Sequence, residues 1–244
     1  ILEKILKNND VIFDLGANIG YYPMLENSIL KGNCKIFAVE PDPRNINVLT
    51  KNIEKFNLKN NIQFEQLAIS NFSGTSEIIL SNRTNLNRLR FSEEKSESEE
   101  SVIKVDVVDF GKYIKKIGHI DVLRMDIEGG EIDIFDSLIT HYLKDNSIKI
   151  PKRIVFETHD YKENKSKMEK YLSKMLEIGY KLEYLGSDDE HQPNPVLRSY
   201  GYNPIKIFKE ASCSRGIYKN ISNEDIIKLI SNWKGTRTIC FSLN

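Results

Sequence analysis

The sequence has no excess of charge in either direction. Its 35 Lys and Arg balance 35 Asp and Glu, so the formal net charge is zero. A binder that works by neutralising many phosphates needs a basic surplus, so nucleic acid is an unlikely partner. The chain also lacks an apolar run of the roughly 18–20 residues that span a bilayer, so no membrane association is expected. It shows no signal-peptide pattern. Cysteine is scarce, and Cys34, Cys213 and Cys240 are scattered. An odd set without metal spacing fits a reducing, cytoplasmic location better than a disulfide framework. No internal repeat is visible. The first residue is Ile1, so a trimmed or longer natural polypeptide is expected.

What remains is ordinary for a globular domain: 244 residues, 40% hydrophobic and 29% charged. That is enough for one α/β domain spanning 1–244.

The most informative stretch is Val11-Ile-Phe-Asp-Leu-Gly-Ala-Asn-Ile-Gly20. Val11, Ile12 and Phe13 read as a buried strand. Gly16 and Gly20 bracket a turn where backbone can approach a ligand closely, and the residues after it can open a helix. Lys35-Ile-Phe-Ala-Val-Glu40 reads as a second strand ending in a carboxylate, which can accept from both ribose hydroxyls. The spacing is G-x-x-x-G with Asn18 in the middle, not the G-x-G-x-x-G that seats a pyrophosphate. This disfavours an NAD-linked oxidoreductase. Asp14, just before the turn, would repel a pyrophosphate but suits an ammonium. S-adenosylmethionine carries a ribose, an α-amino group and a sulfonium, and satisfies all three requirements. The alternative is a βαβ turn that holds nothing.

Further along, Pro43 suits the first turn of a helix with Asp42 as its N-cap. Ile46, Leu49, Ile53 and Phe56 form its apolar stripe. Ile62–Ile69 reads as the third strand, ending at Ala68-Ile69-Ser70. The Asn82–Arg90 run carries Arg83, Arg88 and Arg90, which either contact an anionic substrate or neutralise the acidic loop at 92–101. A strand at 120–125 leads into Asp126-Ile-Glu-Gly-Gly-Glu131, and one at 153–158 ends in Glu157-Thr-His159. Helices with apolar faces follow each, one carrying Ile132, Phe135, Ile139 and Tyr142, the other Met168, Tyr171, Leu172 and Met175. Gly179 stops the second. Ser222 with Asp225 at N3 reads as a capping-box variant before a helix containing Ile226, Leu229 and Ile230. Residues 187–235 interrupt the alternation and read as an insertion or lid between the last two strands.

Strand and helix alternate with short turns, so a doubly wound, mostly parallel sheet is expected. Ligands then bind beyond the carboxyl ends of the strands, where Asp14, Glu40, Ser70, Asp126, Glu128, Glu157 and His159 fall.

Taken together, "FDLGANIGYY", "FAVEPDPRNINVLTKNI", "LAIS", "DVLRMDIEGGE" and "IVFETH" resemble the FkbM family of S-adenosylmethionine-dependent methyltransferases. The resemblance implies a class I methyltransferase, Rossmann-like, with seven strands and the last one antiparallel. It implies O-methylation of a hydroxyl on a sugar or small metabolite, hence a small-molecule or glycan acceptor. Asp14, Gly16, Ala17, Asn18 and Gly20 would hold the methionine end of the cofactor and Glu40 the ribose. Pro41, Asp42, Ala68 and Ser70 would flank the adenine, with Asp126 beside the amine. His159 suits a general base, and Asp126, Glu128 or Glu157 would share or support that catalytic role. A second reading makes Asp126, Glu128, Glu157 and His159 a divalent-metal site, though no metal is expected. Glu157 could instead be an ion-pair partner of Arg124. Rival functions are a nucleic-acid methyltransferase of the same fold and a non-catalytic nucleoside-binding scaffold.

Overall fold

A computed structural model describes residues 1–80, 88–89, 101–145, 149–161, 164–188, 190–191, 195–209 and 213–243. Arg83, Arg90 and the acidic loop up to residue 100 lie outside them, as does the side chain of Arg88. The chain divides into two compact units, one formed by Leu2 and Leu6–Pro151, the other by Ile1, Glu3–Ile5 and Lys152–Asn244.

The first unit is built around β1 (Asp10–Leu15). It pairs in parallel with β2 (Cys34–Val39) and with β8 (Val122–Met125), and β2 pairs in parallel with β3 (Ile62–Glu65), giving the order β8-β1-β2-β3. Successive side chains of β1 serve opposite faces, and both faces are covered. Ile12 packs with Ile36, Leu49, Ile53 and Val122 on the side of α2 (Tyr21–Ile29) and α3 (Pro43–Lys55). Phe13 stacks on Tyr113 of α4 (Phe110–Ile117), with ring centroids 4.9 Å apart. Burial on both faces is why this strand reads as a continuous apolar run rather than an alternating one.

Asp42 caps α3 by accepting from the Arg44 N–H at 2.8 Å, and Pro43 opens the helix as expected. The expected stripe fails at its end. Phe56 is the C-cap residue, outside the helical conformation, and 56% exposed; Asn45 takes a buried place instead. The expected strand over 62–69 also divides. Its second part becomes β4 (Ala68–Ser70), which leaves β3 and pairs in parallel with β7 (Val102–Asp109). β7 also pairs with β5 (Gly74–Ile79), and β5 with the two-residue β6 (Arg88–Leu89). This small sheet buries its own cluster of Ala68, Ile78, Val105 and Val107, which a single extended strand could not have formed. α5 (Glu131–Lys144) follows β8 and buries Ile132, Phe135 and Ile139 as read.

In the second unit, strands run in the order β11 (Lys206–Lys209), β12 (Ser214–Tyr218), β10 (Tyr180–Ser187), β13 (Thr236–Leu243) and β9 (Arg153–Glu157). β13 is antiparallel to both β9 and β10, as expected for the last strand. α6 (Lys165–Ile178) buries Met168, Leu172 and Met175, and Gly179 ends it at φ 116°. The 187–235 stretch contributes α7 (Val196–Ser199), β11 (Lys206–Lys209), β12 (Ser214–Tyr218) and α8 (Asn223–Ser231). β12 pairs with β10 and β11 with β12. The expected seven strands are therefore joined by these two and by the small sheet, because the insertion adds strands as well as loops. Ser222 accepts from the Asp225 N–H at 3.1 Å, confirming the cap of α8. Among the described residues, no helix is long and apolar enough to cross a membrane.

Candidate active site

The turn after β1 requires glycine twice. Gly16 has φ 80°, and a Cβ there would lie 2.1 Å from the carbonyl oxygen of Asp126. Gly20 has φ 89° and stands at the head of α2, where a Cβ would press on Leu49 at 3.3 Å. Between them, the Gly16 and Ala17 N–H groups donate to the Val39 carbonyl at 3.1 and 3.0 Å. Asn18 has φ 50°, tolerable because asparagine adopts left-handed backbone more readily than most residues. The N-cap Gly20 offers no side-chain cap to the first-turn amides of α2.

That turn also positions Glu40. The Asn18 N–H donates to Oε2 at 2.9 Å. The Asp42 N–H at 2.9 Å and the Asn45 amide at 3.2 Å donate to Oε1. Glu40 is only 5% exposed. Burial raises its pKa, while the bonds from Asp42, Asn45 and Asn18 oppose the rise. A carboxylate held this way has fixed direction and retains lone pairs for further donors. Asp42 is committed to structure: fully buried, it caps α3 and takes the Arg44 guanidinium at 2.6 Å. Ala68 and Ser70 sit on β4 of the small sheet, and the Ser70 hydroxyl donates to Asp133 at 2.7 Å.

Beneath the turn lies an ion cluster. Arg124, 5% exposed on β8, donates to Asp14 Oδ1 at 2.9 Å and to Asp126 Oδ2 at 3.1 Å. Its Cζ stands 3.6 Å from the centre of the Tyr22 ring. Burial, the largest influence on Arg124, favours the neutral form, but Asp14 and Asp126 outweigh it and hold the guanidinium charged. Burial likewise raises the Asp14 pKa, against the pull of Arg124. The sequence suggests Arg124 only as a partner for Glu157, although a lone arginine within the fully buried Val122-Leu-Arg-Met125 run signals a buried ion pair. In the structure Glu157 pairs with Arg237 at 2.7 Å instead.

Glu26 was missed altogether. It occupies the sheet-facing stripe of α2 with Pro23 and Asn27, at 0% exposure. A charged residue at a stripe position is the sequence signal that would have found it.

Asp126 and Glu128 share the turn after β8. Its backbone is bent by Glu128 at φ 52° and Gly129 at φ 98°, and closed by the Ile127 N–H donating to Glu131 at 3.2 Å. Non-glycine residues in this conformation are uncommon and cluster at functional sites. In the other unit, His159 follows β9. Its neighbour Thr158 is fixed by a hydroxyl bond to the Thr236 carbonyl at 2.8 Å and by the Trp233 indole N–H at 2.9 Å.

Comparison with known proteins agrees with this architecture. A family model for the methyltransferase FkbM domain matches residues 14–182. No curated protein matches. Among solved structures, a provisional rRNA methylase of Clostridium thermocellum superposes with a TM-score of 0.50 at 10% identity, covering 100% of this chain and 92% of that one. The methyltransferase FkbM of Methylobacillus flagellatus KT gives 0.47 at 13% identity over 88% of this chain, which spans only 45% of that protein's length. A provisional tRNA (m1A22) methyltransferase of Streptococcus pneumoniae, solved with S-adenosyl-L-methionine, gives 0.48 at 12% identity, covering 93% and 75% of the two chains. The family match covers well over half the sequence and begins at Asp14, the first residue of the site described above. The chain therefore belongs to the FkbM family of methyltransferases, with an α/β fold that it shares with the Clostridium thermocellum structure.

Proposed function

We propose that this methyltransferase transfers its methyl group to a hydroxyl on a sugar or small metabolite, and that the Gly16–Gly20 turn with Glu40 is where it holds the donor. The observation that carries the placement is the turn itself. Its backbone fixes Glu40 through the Asn18 N–H, while the fully buried Asp14 keeps Oδ2 without a hydrogen-bond partner. These residues suit the donor chemically. A carboxylate oriented by three donors serves a ribose, and the Asp14 and Asp126 carboxyls, two groups sharing one guanidinium, suit an ammonium. In this assignment Asp14, Gly16, Ala17, Asn18 and Gly20 hold the methionine end, with Asp126 beside it. Glu40 takes the ribose, and Pro41, Asp42, Ala68 and Ser70 border the base.

Bound S-adenosylmethionine supplies an electrophilic methyl on sulfur. The protein's part is alignment of donor and acceptor, which can supply a large share of the acceleration, and removal of the acceptor proton. We assign the proton to His159, whose segment is anchored through Thr158. An imidazole suits base catalysis near neutral pH. Residues 187–235 are assigned to acceptor choice within a single methyltransferase domain.

The test is labelled S-adenosylmethionine offered with a cell extract, followed by mass spectrometry of the product. A methyl ether on a sugar or small alcohol supports the proposal. Label found only in rRNA or tRNA replaces it with the nucleic-acid reading. Loss of activity on chelation, restored by Mg²⁺ or Mn²⁺, would move Asp126, Glu128, Glu157 and His159 from base catalysis to metal binding.

A further inference from the structure

Glu26 has no role in the account above, yet it is the least comfortable group in its unit. Its carboxyl is fully buried, and neither oxygen has a hydrogen-bond partner. It stands on α2 one turn beyond Tyr22, whose ring stacks on Arg124. From β1 it feels Asp14, and from β8 Arg124, which also binds Asp126. From β2 it acts on Cys34, whose thiol is pushed up to about 11 by burial and then by Glu26. Arg124 directs one nitrogen to Asp14, another to Asp126 and its face to Tyr22. The single cation of the cluster thus has its bonds elsewhere.

An ionised carboxylate in such a place has neither solvent nor donor, and the neutral acid is the stable form. Burial, then Asp14, raise the Glu26 pKa well above the ordinary range, with Arg124 opposing. The cluster without ligand therefore holds the Glu26 carboxyl as the neutral acid beside the charged Arg124 guanidinium. The positive sulfonium of a donor changes that balance; the thioether of the product does not.

We propose that Glu26 is a proton-holding positioning residue of the cofactor site, neutral in the ligand-free protein and ionised when the sulfonium donor binds, but not when the thioether product binds. The O–H bond of the Glu26 carboxyl breaks, the proton passes to bulk buffer, and the new carboxylate offsets the added positive charge. Glu26 acts through Asp14 and Arg124 rather than by touching the cofactor. The consequence is a pocket that prefers donor over product more strongly as pH rises, by up to about tenfold per pH unit within the titration range. The inference rests on the cofactor placement proposed above.

Calorimetry on the whole chain tests it. S-adenosylmethionine and S-adenosylhomocysteine are titrated between pH 6 and 8 in buffers of different ionisation enthalpy, which counts protons exchanged. The wild type should release up to one proton more with the donor than Glu26→Gln does, and no more than the variant with the product. The ligand's own amino group contributes alike to both proteins, so the difference belongs to Glu26. Equal proton counts for wild type and variant with the donor would overturn the proposal. If Glu26→Gln does not fold, Glu26→Leu replaces it. The wild type alone also decides, since a donor-to-product affinity ratio independent of pH overturns the idea. Failure of the folded wild type to bind either ligand would instead overturn the cofactor placement itself.

Discussion

Replacing Arg124 with Met isolates the ion cluster beneath the Gly16–Gly20 turn. The substitution keeps most of the volume and removes the charge. Asp14 then loses its hydrogen-bonded guanidinium while remaining at 0% exposure. Asp126 loses a partner too, but its side chain is 26% exposed and water compensates. The Tyr22 stacking is also lost. Stripping one partner from a buried pair costs about 3–5 kcal/mol, most of it from the charge left behind. In a chain of 244 residues, each kcal/mol lowers Tm by about 2–4 °C, so a fall of roughly 6–20 °C is expected. The penalty depends on pH. Without Arg124 the folded-state pKa of Asp14 rises further above its unfolded value, so the variant loses stability as pH climbs through that interval. The gap to wild type should accordingly narrow on acidification. Asp14→Asn in the same chain removes the stranded charge, and the double variant should regain most of the loss. Thermal unfolding followed by circular dichroism, without ligand, reads all of this. A cost of Arg124→Met below about 1 kcal/mol, or a double variant as unstable as the sum of the singles, would refute the reasoning.

Four further outcomes are expected. Gly16→Ala places a Cβ 2.1 Å from the Asp126 oxygen at φ 80°, so S-adenosylhomocysteine affinity should fall at least about a hundredfold by calorimetry, beyond the roughly 1–2 kcal/mol of left-handed strain. His159→Ala should leave that affinity intact while lowering turnover by about 10²–10⁴-fold; unchanged turnover removes the base assignment. Glu26→Gln should raise Tm relative to wild type by an amount that grows with pH. The raised folded-state pKa of Glu26 makes wild-type stability fall above the unfolded value, and the amide abolishes that fall. Ser222→Ala should cost about 1 kcal/mol of stability, a few degrees in Tm, by removing the cap of α8 without touching cofactor binding.

Much of this molecule is local in origin and could be read along the chain. The G-x-x-x-G turn needs positive φ at Gly16, Asn18 and Gly20 and a neighbouring carboxylate, and all are encoded within a few residues of one another. Caps such as Asp42 and Ser222 act over two or three residues, so their chemistry is visible without a fold. The stripes of α5 and α6 follow from helical spacing. Partnership across the sheet is different. Nothing local tells Arg124 to choose Asp14, 110 residues away in the chain, over Glu157. The parallel register of β1 and β8 decides it by setting Asp14 beside Arg124. Nor does spacing reveal that Ala68–Ser70 leaves one sheet for another, since that depends on β7, which follows some thirty residues later. The sequence by itself determined the fold family and the Gly16–Gly20 turn, because their requirements are short-range and steric. Only the tertiary structure decided the ion cluster, the isolation of Glu26 and the path of the small sheet, because burial and charge pairing exist only after distant strands have come together.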